Sequence, residues 1–102
     1  MSARERLPNR RPCESLEFEH AGLRFTLCTG FYRDGRIAEI FLSSHKPGSP
    51  IEAIARDAAV TVSISLQHGA DLATIRQALT KDANGGPATL LGTALDKITG
   101  AP

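Results

Sequence analysis

The sequence predicts an α+β fold: a three-stranded antiparallel β-meander followed by two or three helices packed on one face (βββααα). Three observations predict it. The first half alternates apolar and polar residues with a period of two. Two glycine turns, Ala21-Gly22 and Asp34-Gly35, divide that half into three runs. The second half changes to helical spacing directly after a capping box, Ser49-Pro50-Ile51-Glu52. At 102 residues the chain suits a single compact unit. The expected division is a basic N-terminal arm over 1–12 and one domain over 13–102.

The first strand is "ESLEFEH", with Leu16, Phe18 and His20 on one side. The second is "LRFTLCTGFY", with Leu23, Phe25, Leu27 and Phe31 on one face. The third is "RIAEIFL". Asp-Gly favours a type I′ turn, which needs positive φ at both central positions. Two-residue loops at both turns predict a register. Phe18 then faces Phe25 and Leu16 faces Leu27. Across the second hairpin, Leu27 faces Leu42, Thr29 faces Ile40, Phe31 faces Ala38 and Arg33 faces Arg36. Both hairpins put the apolar partners on the same face of the second strand, which a one-residue slip would scramble. On the opposite face Cys28, Tyr32, Ile37 and Phe41 form an expected apolar patch. Such a patch marks a partner or dimer surface unless the arm or the C-terminal segment covers it.

The first helix is predicted from Pro50, with proline at the first helical position. His68-Gly69 ends it, Gly69 being suited to a left-handed C′ position. Ile51, Ile54, Ala55, Ala58, Val62 and Leu66 recur at helical spacing, while Ala59, Val60 and Ile64 widen the apolar surface. That width predicts burial on more than one side. "DLATIRQALTK" reads as a second helix capped by Asp71, with Leu72, Ile75 and Leu79 inward. "ATLLGTALDKI" reads as a third, with Leu91, Leu95 and Ile98 inward, although Gly92 weakens it.

Hydrophobic residues make up 41% and charged residues 23%, ordinary values for a globular protein. No run approaches the roughly 20 apolar residues of a membrane span, and no apolar signal segment follows Met1. The expectation is a cytoplasmic chain. The net charge of +1 does not drive general nucleic-acid binding. Arg4, Arg6, Arg10 and Arg11 nevertheless cluster in the first dozen residues. They are expected on a solvated, poorly ordered arm, with contact to a phosphate backbone or an acidic protein as the alternative. Cys13 and Cys28 match no zinc or redox spacing, and free thiols are expected. No metal site and no cofactor motif is read from the sequence.

One loop holds candidate binding residues. His45, Lys46, Gly48 and Ser49 precede the first helix. A helix start offers unpaired N–H groups and the positive end of a dipole. Lys46 adds a charge, Gly48 lets a ligand approach the backbone, and His45 can donate or accept near neutral pH. The set suits an anion such as phosphate, a nucleotide or a carboxylate. Helix capping alone accounts for Ser49 and Glu52. No catalytic group is assigned, but a small thiol or hydrolytic enzyme using Cys28 or His45 stays open.

"LPNRRP", "FYRDGRIAEIFLSSHKPGS" and "ARDAAVTVSISLQHGADLATIRQALT" resemble the TSCPD domain. That domain lies near the C-terminus of adenosylcobalamin-dependent ribonucleotide reductases. The resemblance runs from about Leu7 to Thr80. Its most specific parts are Leu7-Pro8 with Arg10-Arg11, Asp34-Gly35 with Glu39-Ile40-Phe41, His45-Lys46 with Gly48, and Ser65-Leu66-Gln67-His68-Gly69. In the reductases this region is an accessory part, and the radical chemistry belongs to a separate barrel. The resemblance therefore implies a non-catalytic module. Its partner would be a reductase-type protein or a nucleotide-like anion at the His45–Gly48 loop.

Overall fold

A computed structural model describes residues 3–99. The elements run β1 (Cys13–His20), β2 (Leu23–Phe31), β3 (Ile37–Ser44), α1 (Pro50–Gln67), α2 (Leu72–Ala78) and α3 (Leu90–Thr99). The strands form one antiparallel sheet in the order β1-β2-β3, and the helices pack on one of its faces. The predicted α+β meander with three helices is the observed architecture.

The first hairpin follows the alternation. Ala21 and Gly22 both take positive φ, 52° and 79°, the geometry of a two-residue type I′ turn. Leu16 pairs with Leu27, Phe18 with Phe25 and His20 with Leu23. The Phe18 and Phe25 rings stack with centroids 5.7 Å apart.

The second hairpin corrects the predicted register at its tip. The Tyr32 N–H donates to the Arg36 carbonyl at 2.9 Å, and the Gly35 N–H donates back to the Tyr32 carbonyl. The loop is therefore Arg33-Asp34-Gly35, with Gly35 at φ 91°. Asp-Gly serves this three-residue turn as well as the two-residue one. Phe31 consequently faces Ile37 instead of Ala38. A β-bulge at Gly30/Phe31 absorbs the extra residue, and Thr29–Ile40 and Leu27–Leu42 then pair as predicted. An inserted residue turns every side chain beyond it to the other face. Ile37 accordingly packs against the helix-side core.

The core lies between the sheet and α1. Phe25, Leu27, Ile40 and Leu95 are its largest fully buried side chains. Burying each contributes about 2 kcal/mol. The helix α1 starts at Ser49, whose hydroxyl accepts from the Glu52 N–H, and its C-cap is His68. Its predicted burial on more than one side is overturned: Ile54, Val60 and Ile64 are 62%, 52% and 42% exposed. The buried face is Ala55, Ala59, Val62, Ser63, Leu66 and Gln67. Small alanines let α1 sit close over β3, so the bulky positions beside them remain in solvent. Asp71 caps α2 through the Thr74 N–H, and Arg76 ties α2 to α3 through Asp96 at 2.6 Å.

Candidate functional site

Ser63 and Gln67 are polar residues on the buried face of α1, and they work on the sheet. The Ile40 N–H donates to Ser63 Oγ at 2.9 Å, and that hydroxyl donates to the Ile40 carbonyl at 3.0 Å. The Gln67 amide donates to the Ala38 carbonyl at 3.1 Å. These bonds satisfy the outer edge of β3 at Ile40 and at the Ala38 carbonyl, an edge that no described strand covers.

Gln67 also receives the N-terminal arm. Its backbone carbonyl accepts from the Glu5 N–H at 2.8 Å, and its side-chain oxygen accepts from Arg4. The Tyr32 hydroxyl donates to the Glu5 carbonyl at 2.7 Å, and Arg36 grips the Glu5 carboxylate with two nitrogens. The arm is thus tied to the sheet and α1, which corrects the expectation of a poorly ordered segment, while Arg4, Glu5, Arg6, Asn9 and Arg10 stay exposed as expected. Its anchors are backbone bonds and buried contacts, which composition does not reveal. Tyr32 is buried beneath it. Burial, with Glu5 close by, raises the Tyr32 pKa. Asp34 is held below its ordinary value by the Arg36 N–H and guanidinium.

Farther along the arm, Arg11 pairs with Glu39 and also donates to the Pro8 carbonyl at 2.9 Å. Glu39 is only 8% exposed. Its side chain lies flat across Gly30: a Cβ there would stand 2.7 Å from Glu39 Cγ. Glycine at this position is what lets the carboxylate fold down to Arg11. Among the described residues, Arg6 and Arg10 have no ion-pair partner.

The face opposite the helices carries three of the sequence-predicted candidates, Cys28, Phe41 and His45. His45 Nε2 lies 3.1 Å from Thr26 Oγ1 and 3.3 Å from Glu17 Oε1. Arg24 bridges Glu17 and Glu19, each at 3.3 Å. Cys28 Sγ lies 3.0 Å from Ser15 Oγ. His45 and Cys28 are therefore engaged by different partners. Cys13 and Cys28 are free thiols lining one concavity with Arg10, Arg11 and Glu39. Phe41, opposite Cys28, is 54% exposed. Tyr32 and Ile37 do not share this patch: one lies under the arm, and the other packs on the helix side.

The loop before α1 is closed on itself. Lys46 N–H donates to Ser44 Oγ, Gly48 N–H to Glu52 Oε1 at 3.1 Å, and Ser49 N–H to the Lys46 carbonyl. The Glu52 carboxylate thus takes the Gly48 N–H. Ser44 Oγ, the Lys46 carbonyl and Ser49 Oγ take those of Lys46, Ser49 and Glu52, so these groups are already engaged where an external anion was expected. His45 turns to the sheet face, while the Lys46 ammonium has no partner among the described residues. His20 has Nδ1 2.9 Å from Thr93 Oγ1, which ties β1 to α3. No cluster of three or more metal-capable side chains occurs among the described residues.

Comparison with known proteins gives a consistent answer. No family model matches the chain, and no solved structure matches it. A vitamin B12-dependent ribonucleotide reductase from Agrobacterium fabrum is 39% identical over 77 residues, 76% of this chain. Its counterpart from Bradyrhizobium diazoefficiens is 38% identical over 72 residues, 71% of this chain. That from Rhodopirellula baltica is 40% identical over 72 residues, again 71% of this chain. The chain spans only 6–7% of the length of these relatives. It is a small domain homologous to the C-terminal region of the vitamin B12-dependent ribonucleotide reductases.

Proposed function

We propose that the chain is a non-catalytic accessory module whose open sheet face docks a reductase-type protein partner in the cytoplasm. The observation that carries this reading is Phe41. It stands 54% exposed on the face that the helices leave uncovered. Around it lie Cys28, Thr26 and the Glu17–His45–Arg24 polar cluster, an apolar centre with a charged rim. In the relatives the homologous region is a small part of a reductase polypeptide, which supports a partner of that type. None of the described helices is long and apolar enough to cross a membrane.

The test is affinity capture with a purified vitamin B12-dependent ribonucleotide reductase. The native chain is expected to bind, and Phe41→Glu to weaken binding by about tenfold or more at unchanged Tm. Equal capture of both chains removes the open face from the reading. Light scattering of the same pair separates self-association from partner binding.

A nucleotide or phosphate at His45, Lys46, Gly48 and Ser49 is the second reading, favoured by the unpaired Lys46 ammonium. Such an anion has to displace the Glu52 carboxylate. Glu52→Gln is therefore expected to increase the amide shifts that ATP or inorganic phosphate induces at Gly48. No shift in either protein at millimolar anion excludes the site. The enzyme alternative with Cys28 or His45 and the nucleic-acid alternative through the arm carry fewer supporting contacts. Cys28 and His45 are not paired with each other, and Arg4 and Arg11 are spent within the chain.

A further inference from the structure

One side of α1 overhangs the free edge of β3 with a regular row: Arg56, Val60, Ser63 and Gln67. These positions are four, three and four apart, so they stack along the helix. Ser63 and Gln67 seal the edge at Ile40 and Ala38. The outward-facing backbone groups alternate along an antiparallel edge strand. Ile40 turns its N–H and carbonyl outward, so Leu42 does too. No described residue hydrogen-bonds the outward groups of Leu42. At that level the row offers Val60 and Arg56, neither of which bonds the strand. The result is a groove of about 280 Å³ lined by Phe41, Leu42, Ser43, Arg56, Ala59 and Val60. The usual protections of an edge are missing there: Phe41–Ser44 contains no lysine, proline or bulge.

We propose that this groove receives an extended segment of a partner polypeptide, added to the sheet as a fourth strand beside Leu42. This deepens the binding-module reading and rests on it. The bare N–H and carbonyl of Leu42 call for backbone groups. Ala59 and the half-exposed Val60 call for an apolar side chain. Arg56 calls for a carboxylate, because it has no ion-pair partner among the described residues. The occupant is therefore a strand that places an acidic residue next to an apolar one. A second copy of the chain fits less well. Its own edge segment, Phe41–Ser44, carries no carboxylate to meet Arg56.

The experiment titrates the isotope-labelled full chain with a blocked synthetic peptide alternating valine and glutamate, and with its valine–lysine counterpart. The glutamate peptide is expected to shift the amides of Leu42, Ser44 and Val60 and to slow hydrogen exchange at Leu42. The lysine peptide is expected to bind at least about tenfold more weakly. Arg56→Glu should reverse that preference. Val60→Glu, a change at an exposed helix position, should abolish binding while leaving Tm unchanged. Equal binding of the two peptides, or no shift with either, overturns the groove. Shifts confined to Thr26 and Cys28 also overturn it but leave the open-face module standing. A rise in mass with concentration that Val60→Glu removes overturns the partner in favour of a second copy. If the reductase capture fails as well, both readings fall together.

Discussion

The two polar ends of the sheet are built differently. At the arm end, Arg4, Glu5, Arg11, Tyr32, Arg36, Glu39 and Gln67 bond across long stretches of sequence, and several of them are buried. At the other end, Lys46, Gly48, Ser49 and Glu52 bond almost wholly among themselves, in solvent. Both ends contain residues shared with the family resemblance, yet they do different work. The arm end joins arm, sheet and helix into one body. The loop end starts a helix and leaves a lysine free. A familiar short motif can therefore be cement at one end and surface at the other, and long-range bonding tells the two apart.

The sharpest way to break this contrast is at Gly30. Gly30→Ala drives a methyl group into Glu39 and separates it from Arg11, leaving a buried carboxylate unpaired. A loss of about 3 kcal/mol in urea unfolding is expected. A loss under about 1 kcal/mol would mean that the arm end is no firmer than the loop end. Gln67→Ala comes next. It orphans the Ala38 carbonyl and releases Arg4, with an expected cost of about 2 kcal/mol and faster proteolysis of the arm. On the loop side, Ser49→Ala removes one cap bond and should cost about 1 kcal/mol, with the arm's protease resistance unchanged. Loss of that resistance would show that the two ends are coupled.

A pH measurement gives the finest resolution. Tyr32 is the single tyrosine of the chain, so its phenolate absorbance has one source. Its pKa is raised above the ordinary 10.0, with burial as the main cause. The stability contributed by the neutral phenol is therefore complete below pH 10.0 and is lost as pH rises through the higher folded value. Removing residues 1–11 should bring the titration back toward 10.0. An unchanged titration midpoint after that truncation would assign the burial to α1 and not to the arm.

Much of this fold is legible in the sequence because local and global preferences agree. The β1–β2 hairpin, the Ser49 cap and the Gly69 stop all follow from residues a few positions apart. At the second hairpin tip the misreading is local, because Asp-Gly fits either loop length; the other misread parts depend on partners distant in sequence. Ser63 and Gln67 look like polar interruptions of an apolar helix until the bare edge of β3 lies beneath them. Ile54, Val60 and Ile64 look like core until the alanines bring α1 down onto the sheet. Arg11 and Glu39 are ordinary charges until Gly30 gives the carboxylate room. For the candidate site, the sequence brought forward His45, Lys46, Gly48 and Ser49, and the structure divides them. His45 joins Thr26 and Glu17 on the open face, and the others remain at the helix start. The row Arg56, Val60, Ser63, Gln67 was visible as spacing, but spacing alone does not say what lies below it.

The bulge opposite Gly30 and Phe31 has a consequence for how such chains diverge. A strand is a message read in twos, and one added letter works as a frame shift. Every side chain beyond it changes sides while its identity stays the same. Here the shift sends Ile37 to the core side and leaves Phe41 without an apolar companion at the hairpin tip. A relative that lost one residue from this hairpin would return Ile37 to the open face beside Phe41. Insertions and deletions at this point, more than substitutions, can therefore rewrite the surface that a partner meets.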